Sequence, residues 1–236
     1  MAGYHSIQLL NCKNKAYTAH NHYYAMEYKK KRQHHSVDPL SREFNQQLRF
    51  WETVIQRVLA LHTTAEEKRI LRYCTETGYA NYREIDYIAK TDGALTFCEI
   101  KLKQCAKIQQ TPSGFEQLST SLDIAQLVSL ANHGVLVTVN LASLFGNACL
   151  IPADDLAELK DIELSLTKTT LDIDIFYIDI AQVIPFAKAH HIITQDHIDE
   201  LVESYHDYLN PMRRLQTQSH LPINNPFQAL RQHTMQ

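Results

Sequence analysis

Three residues in a β-rich stretch have the types and spacing for metal-assisted chemistry. Asp86 stands between Ile85 and Tyr87, and Glu99 and Lys101 flank Ile100. Residues two apart in a strand face the same side, so Glu99 and Lys101 project together, opposite Ile100. Glu84 and Asp86 project together in the same way, opposite Ile85. A sheet that buries Ile85, Ile88 and Ile100 on one face would carry two carboxylates and a lysine on the other. Close carboxylates repel unless a cation fills the gap between them. Their hard oxygens suit Mg²⁺ or Mn²⁺. An ammonium beside such an ion can stabilise charge on a phosphate, which makes this a phosphodiester-cleaving arrangement.

The elements that must position these residues can be read from periodicity. Phe44, Leu48, Trp51, Ile55, Val58 and Leu59 recur at spacings of three and four, predicting a helix that Asp38 caps, Pro39 opens and Leu61 ends. Residues 63–78 admit two readings. Thr64-Ala65-Glu66-Glu67 resembles a capping box, whereas residues 68–75 read as a strand turning at Thr77-Gly78; the strand is preferred because β-rich segments come directly after it. Residues 82–90 and 95–102 are β-rich and are joined by Thr91-Asp92-Gly93, a tight-turn signal, so they form an antiparallel hairpin. Residues 115–131 return to helical spacing, with Asn132-His133-Gly134 as a stop. Residues 135–141 read as a buried strand, 148–151 as a short strand and 171–180 as an alternating one. A capped helix spans 194–209, ended by Asn210-Pro211, and the tail from Met212 is polar.

This order, together with Asp86 and the Glu99-Ile100-Lys101 triplet thirteen positions on, resembles the PD-(D/E)xK nuclease superfamily. That group includes restriction endonucleases, Holliday junction resolvases and RecB-like nucleases. The resemblance covers roughly residues 40–142 and implies a restriction-endonuclease-like α/β core: a helix, a three-stranded antiparallel meander, a helix and a fourth strand, here with extra C-terminal strands and a helix. It implies that Asp86 and Glu99 are metal ligands and that Lys101 is the catalytic lysine. Gln117 resembles the glutamine of the following helix in RecB-like members, where it would orient Lys101 or contact phosphate. A glutamate from the first helix completes the metal set. Glu52 is the first choice, Glu43 the second, and Glu66 or Glu67 take the place if residues 64–77 are the preceding helix. Isoleucine rather than proline precedes Asp86, a change many members share.

Lys103 and Lys107, just past the catalytic strand, are the nearer candidates for phosphate contact. Lys29, Lys30, Lys31 and Arg32, beside Tyr23, Tyr24 and Tyr28, read equally well as a backbone-tracking surface or as a solvated face. His20-Asn21-His22 lacks the spread of an HNH site, and His34-His35 and His190-His191 lack structural-zinc spacing.

A 44% hydrophobic and 21% charged composition suits one globular core, with residues 1–37 as a basic, aromatic arm, 38–187 as the nuclease-like core with added elements, and 188–236 as a C-terminal helix and tail. No apolar run of spanning length occurs and no secretory signal opens the chain, so a cytoplasmic location is expected. The five scattered cysteines read as reduced thiols. A formal charge of −3 argues against a general nucleic-acid coat but not against an enzyme with a local basic track. The expectation is a Mg²⁺-dependent nuclease, with DNA favoured over RNA as partner and a homodimer or larger complex left open. The alternatives are an inactive nuclease-fold binding or assembly module, or an RNA-cleaving toxin or effector.

Overall fold

The structure, a computed structural model, describes residues 3–32, 39–131 and 133–210. It is a mixed α/β fold with two sheets. In chain order the elements are β1 (His5–Leu10), α1 (Lys15–Arg32), α2 (Pro39–Leu59), β2 (Thr64–Ala65), β3 (Ile70–Cys74), β4 (Ala80–Glu84), β5 (Tyr87–Thr91), β6 (Ala94–Lys103), α3 (Phe115–Gln126), β7 (His133–Asn140), α4 (Leu159–Leu166), β8 (Ile173–Asp179), α5 (Ile180–Ala189) and α6 (Gln195–Leu209). Strands β2-β5-β6-β7-β8 form the larger sheet, and β1-β3-β4 form an antiparallel three-stranded one. β5 and β6 run antiparallel, whereas β6, β7 and β8 run parallel. The latter pairings require the crossovers that α3 and α4 supply.

The β5–β6 hairpin is closed by two residues, with Thr91 opposite Ala94. Asp92 and Gly93 both take positive φ, 49° and 84°, which is the conformation a two-residue hairpin needs and glycine gives most cheaply.

Both faces of the larger sheet are covered. Trp51, Val54, Ile55 and Val58 of α2 pack with Cys98, Ile100, Val135, Val137 and Val139, and Ile198, Leu201 and Tyr205 of α6 join the same core. On the other face Leu118, Leu122 and Ile124 of α3 pack against Phe97, Leu136, Ile85 and Ile88. The expectation that Ile85, Ile88 and Ile100 share a face therefore fails: Ile100 faces α2, and Ile85 and Ile88 face the α3 layer. The hairpin register sets Ile88 opposite Phe97, an odd number of positions from Ile100. Ile85 joins the layer of Ile88, three residues on, because of a break in the expected 82–90 strand. It ends as β4 at Glu84 and resumes as β5 at Tyr87, with β4 pairing to β3 in the second sheet.

Other expectations shift too. The segment read as an unpatterned arm holds β1, paired with β3, and α1. The helix from Phe115 ends at Gln126, and His133 and Gly134 open β7 rather than stopping a helix. Residues 148–151 form no strand, and two helices, α4 and α5, are present where none was expected. Residues 64–77 hold strands, not a helix, so the condition attached to Glu66 and Glu67 is not met. The Asp38 cap, His34-His35 and the tail from Met212 lie outside the described residues. All five cysteines are free. Among the described residues no helix is long and apolar enough to cross a membrane.

Candidate active site

The break after β4 builds the site. Strand β5 pairs with β6 only from Tyr87, opposite Cys98, to Thr91, opposite Ala94. Beyond Cys98, β6 keeps β7 on one side, with Glu99 beside Leu136 and Lys101 beside Thr138; among the described residues no strand pairs with its other side there. Asp86 sits in the gap. Its Oδ2 accepts a hydrogen bond from the Ile100 backbone N–H at 2.8 Å, in place of a ladder partner. Arg69 donates to the Asp86 carbonyl, and at 3.1 Å to Gln56 Oε1 of α2, fixing the turn from outside.

Glu99 is 1% exposed. Lys101 Nζ donates to its Oε1 in a close ion pair. Burial and then the Asp86 charge push the Glu99 carboxyl up to about 7, opposed by Lys101, with Glu52 a smaller push upward. Burial raises Asp86 as well, while the Ile100 N–H and Lys101 act against it. Glu52, on α2, is raised by burial and next by Asp86, with Lys101 lowering it. Glu52, Asp86 and Glu99 thus share one field around one ammonium, although Glu52 comes from the α2 side of the sheet and Glu99 faces the α3 side.

A glycine closes the other wall. Gly114, with φ +96°, precedes α3 so tightly that a Cβ there would lie 2.8 Å from Lys101 Cε and 3.2 Å from Glu99 Cγ. In the sequence, residues 111–114 stand out only as a chain break. Arg69 and Tyr17 do not stand out at all. Tyr17, on α1, donates to Glu84 Oε2 at 3.0 Å and brings α1 against the end of β4. No local pattern marks either residue.

Other expected residues lie further out. Gln117 is exposed in the first turn of α3; its carbonyl accepts from Arg83 at 3.4 Å, and among the described residues no hydrogen bond joins its side chain to Lys101. Glu43 lies more than two turns before Glu52 on α2, and Glu66 accepts from the Lys68 N–H in the β2–β3 loop. Glu67 is exposed in the same loop. Lys103 and Lys107 line a cavity beyond Lys101. Lys29, Lys30, Lys31 and Arg32 continue α1, and their side chains lie outside the described set.

Among the described residues, one group of three potential ligands has donor atoms all within 4.8 Å of one another, and it lies elsewhere: His133, Asp172 and Asp174. Its donors are already engaged. His133 Nδ1 meets Asp172 Oδ1 at 2.9 Å, and Asp174 Oδ2 accepts from Ser165 Oγ at 2.6 Å and pairs with Lys168. This cluster serves as a polar clasp between β7, α4 and β8.

Compared with known protein families, curated proteins and solved structures, the chain shows no match.

Proposed function

We propose that this protein is a metal-dependent nuclease of the PD-(D/E)xK type that hydrolyses phosphodiester bonds, with DNA as the favoured substrate. The observation that carries the reading is geometric: Asp86, held by the Ile100 N–H in the gap that β5 leaves beside β6, stands next to buried Glu99 and its ion-pair partner Lys101. Burial first, and then the neighbouring acids, make it costly to ionise Asp86, Glu99 and Glu52 together, and a hard divalent cation among them would offset that cost. Asp86 and Glu99 would hold Mg²⁺ or Mn²⁺, with Glu52 as a further ligand, and the ion would supply Lewis-acid activation of the phosphate.

The element order around the site supports the reading. Helix α2, the β5/β6 hairpin, helix α3 and the parallel strand β7 follow one another as a restriction-endonuclease-like core would have them, while β3 and β4 depart from a single three-stranded meander by pairing in the smaller sheet. The chain's own residues then divide the work. Asp86 fixes its orientation through the Ile100 N–H, and Glu99 holds the Lys101 ammonium beside the carboxylates. Lys101 stabilises the negative charge that builds on the phosphate oxygens in the transition state.

The test is incubation of supercoiled, linear and single-stranded DNA, and of RNA, with and without Mg²⁺. DNA cleavage abolished by excess EDTA is the expected result. Cleavage unchanged in EDTA removes the metal site. Binding without cleavage under every condition favours an inactive nuclease-fold module, and cleavage confined to RNA favours the effector reading.

A further inference from the structure

Next to the candidate site lies a cavity of about 230 Å³ lined by Lys103, Lys107, Gln109, Ser113, Thr138 and Tyr177, among others. Its floor continues the face that carries the acidic cluster. Lys101 pairs with Thr138 across β6 and β7, and Thr138 with Tyr177 across β7 and β8, so the three side chains form one row. The loop before α3 is a shared wall: Pro112 and Ser113 line the cavity, and the adjoining Gly114 presses against Lys101 and Glu99. The Tyr177 hydroxyl accepts the Gln109 N–H at 3.3 Å, which braces the opposite wall.

The charge here reverses that of the neighbouring site. Two lysines and no carboxylate line the cavity, and among the described residues neither ammonium has an ion-pair partner. Ser113 and Thr138 add neutral hydroxyl donors. Tyr177 is only 8% exposed, so it cannot serve as a base-stacking platform. The volume falls below the roughly 300–1,000 Å³ of sites that enclose a whole drug-sized ligand. The space suits a phosphate and part of its sugar.

We infer that this cavity is the subsite for the phosphate neighbouring the scissile one, held by Lys103 and Lys107 without reading the base. The inference rests on the nuclease reading for its placement along the strand, but not for its anion chemistry. A single strand laid along β6 would present successive phosphates first to Lys101 and then to this cavity.

The test uses the full chain, a fluorescent single-stranded DNA 12-mer, and inorganic pyrophosphate as competitor. In K103Q/K107Q, affinity for the 12-mer should fall about tenfold or more with the melting temperature unchanged. The slope of log affinity against log salt should fall by about 0.7 for the lost phosphate contact. Pyrophosphate should compete on the wild type and not on the variant. K90Q/K188Q makes the same charge change elsewhere and serves as control. A loss in K103Q/K107Q no larger than in this control overturns the subsite, as does a wild type that binds neither probe. A selective loss in a protein that cleaves nothing keeps the anion site and sinks the nuclease reading instead. Cleavage with KM unaffected by K103Q/K107Q keeps the nuclease and removes the subsite.

Discussion

Asp86 Oδ2 stands 2.8 Å from the backbone nitrogen of Ile100, where a neighbouring strand would otherwise supply a carbonyl. One carboxylate therefore has two duties. It caps a buried ladder position of β6, and it places a negative charge against the residue that separates Glu99 from Lys101, within the field of both.

The two duties separate by mutation. Asp86→Asn keeps an acceptor for the Ile100 N–H and loses the charge, so it should fold with little change in melting temperature while cleavage falls at least about a hundredfold. Asp86→Ala loses both and leaves a buried donor without a partner, at a cost of about 1–3 kcal/mol. Paired melting curves check this. Equal destabilisation by both variants would mean that the hydrogen bond contributes nothing to the fold.

Glu99 makes metal-free stability depend on pH. Its folded value, about 7, lies above the ordinary 4.5, so folding takes up a proton. The stability linked to its protonation is complete below about pH 4.5 and is lost as pH rises through about 7. The upward shifts of Asp86 and Glu52 act in the same sense. In EDTA the wild type should lose about 3 kcal/mol between pH 5 and pH 8. Glu99→Gln should flatten that slope and melt higher than wild type at pH 8. Mg²⁺ should stabilise the wild type more at pH 8 than at pH 6. Chemical denaturation across this range is the measurement, and a pH-independent wild type would remove the buried-carboxyl account.

Gly114→Ala probes the wall behind the lysine. The substituted Cβ would meet Lys101 Cε at 2.8 Å, and φ +96° disfavours any side chain. A stability loss of roughly 1–2 kcal/mol from the backbone alone is expected. Cleavage should fall further than unfolding explains, because Lys101 must move away from Glu99. Activity measured well below the melting temperature separates the two effects. Full activity there would show that the lysine tolerates displacement.

How much of the fold is legible in the sequence differs between elements for physical reasons. Helix α2 announces itself because a wide apolar stripe, Phe44 to Leu59, faces one core. The β5–β6 hairpin does so through Asp92-Gly93. Asp86 and the Glu99-Lys101 pair are readable as residues, and alternation correctly sets Glu99 and Lys101 opposite Ile100. It does not show the break after Glu84 that turns the Asp86 carboxylate onto the Ile100 N–H. Tyr87, Ile88 and Ala89 are buried in succession because both sheet faces are covered. Helix α1 is hidden because it docks through Tyr17 and His20 against Tyr82 rather than through an apolar stripe. β1 is hidden because it is largely exposed, with an irregular register near Ser6, which has positive φ. Helix α5 carries Pro185 in its interior, a residue that argues against a helix. The cavity beside Lys101 depends on Thr138 and Tyr177, which only the parallel pairing of β6, β7 and β8 brings into line.

Lys101→Ala is the sharpest test of the chemistry. The ammonium donates to Glu99 and lowers the carboxyls of Asp86 and Glu52, so it is the cation common to the mutual field of the three acids. Its removal should reduce single-turnover cleavage about a hundred- to a thousandfold, which corresponds to losing about 3–4 kcal/mol of transition-state stabilisation. The fold should survive, since Glu99 without its partner can take up a proton rather than stay charged, and Lys101 is itself half-buried. Mg²⁺ should bind as tightly or more tightly, because the ion no longer competes with the ammonium for Glu99. The measurements are single-turnover cleavage, thermal melting and Mg²⁺ titration on one preparation. Near-wild-type cleavage by a folded variant would reduce Glu99 and Lys101 to an ordinary strand pair. Loss of cleavage together with loss of Mg²⁺ affinity would assign the lysine to organising the carboxylates rather than to the phosphate.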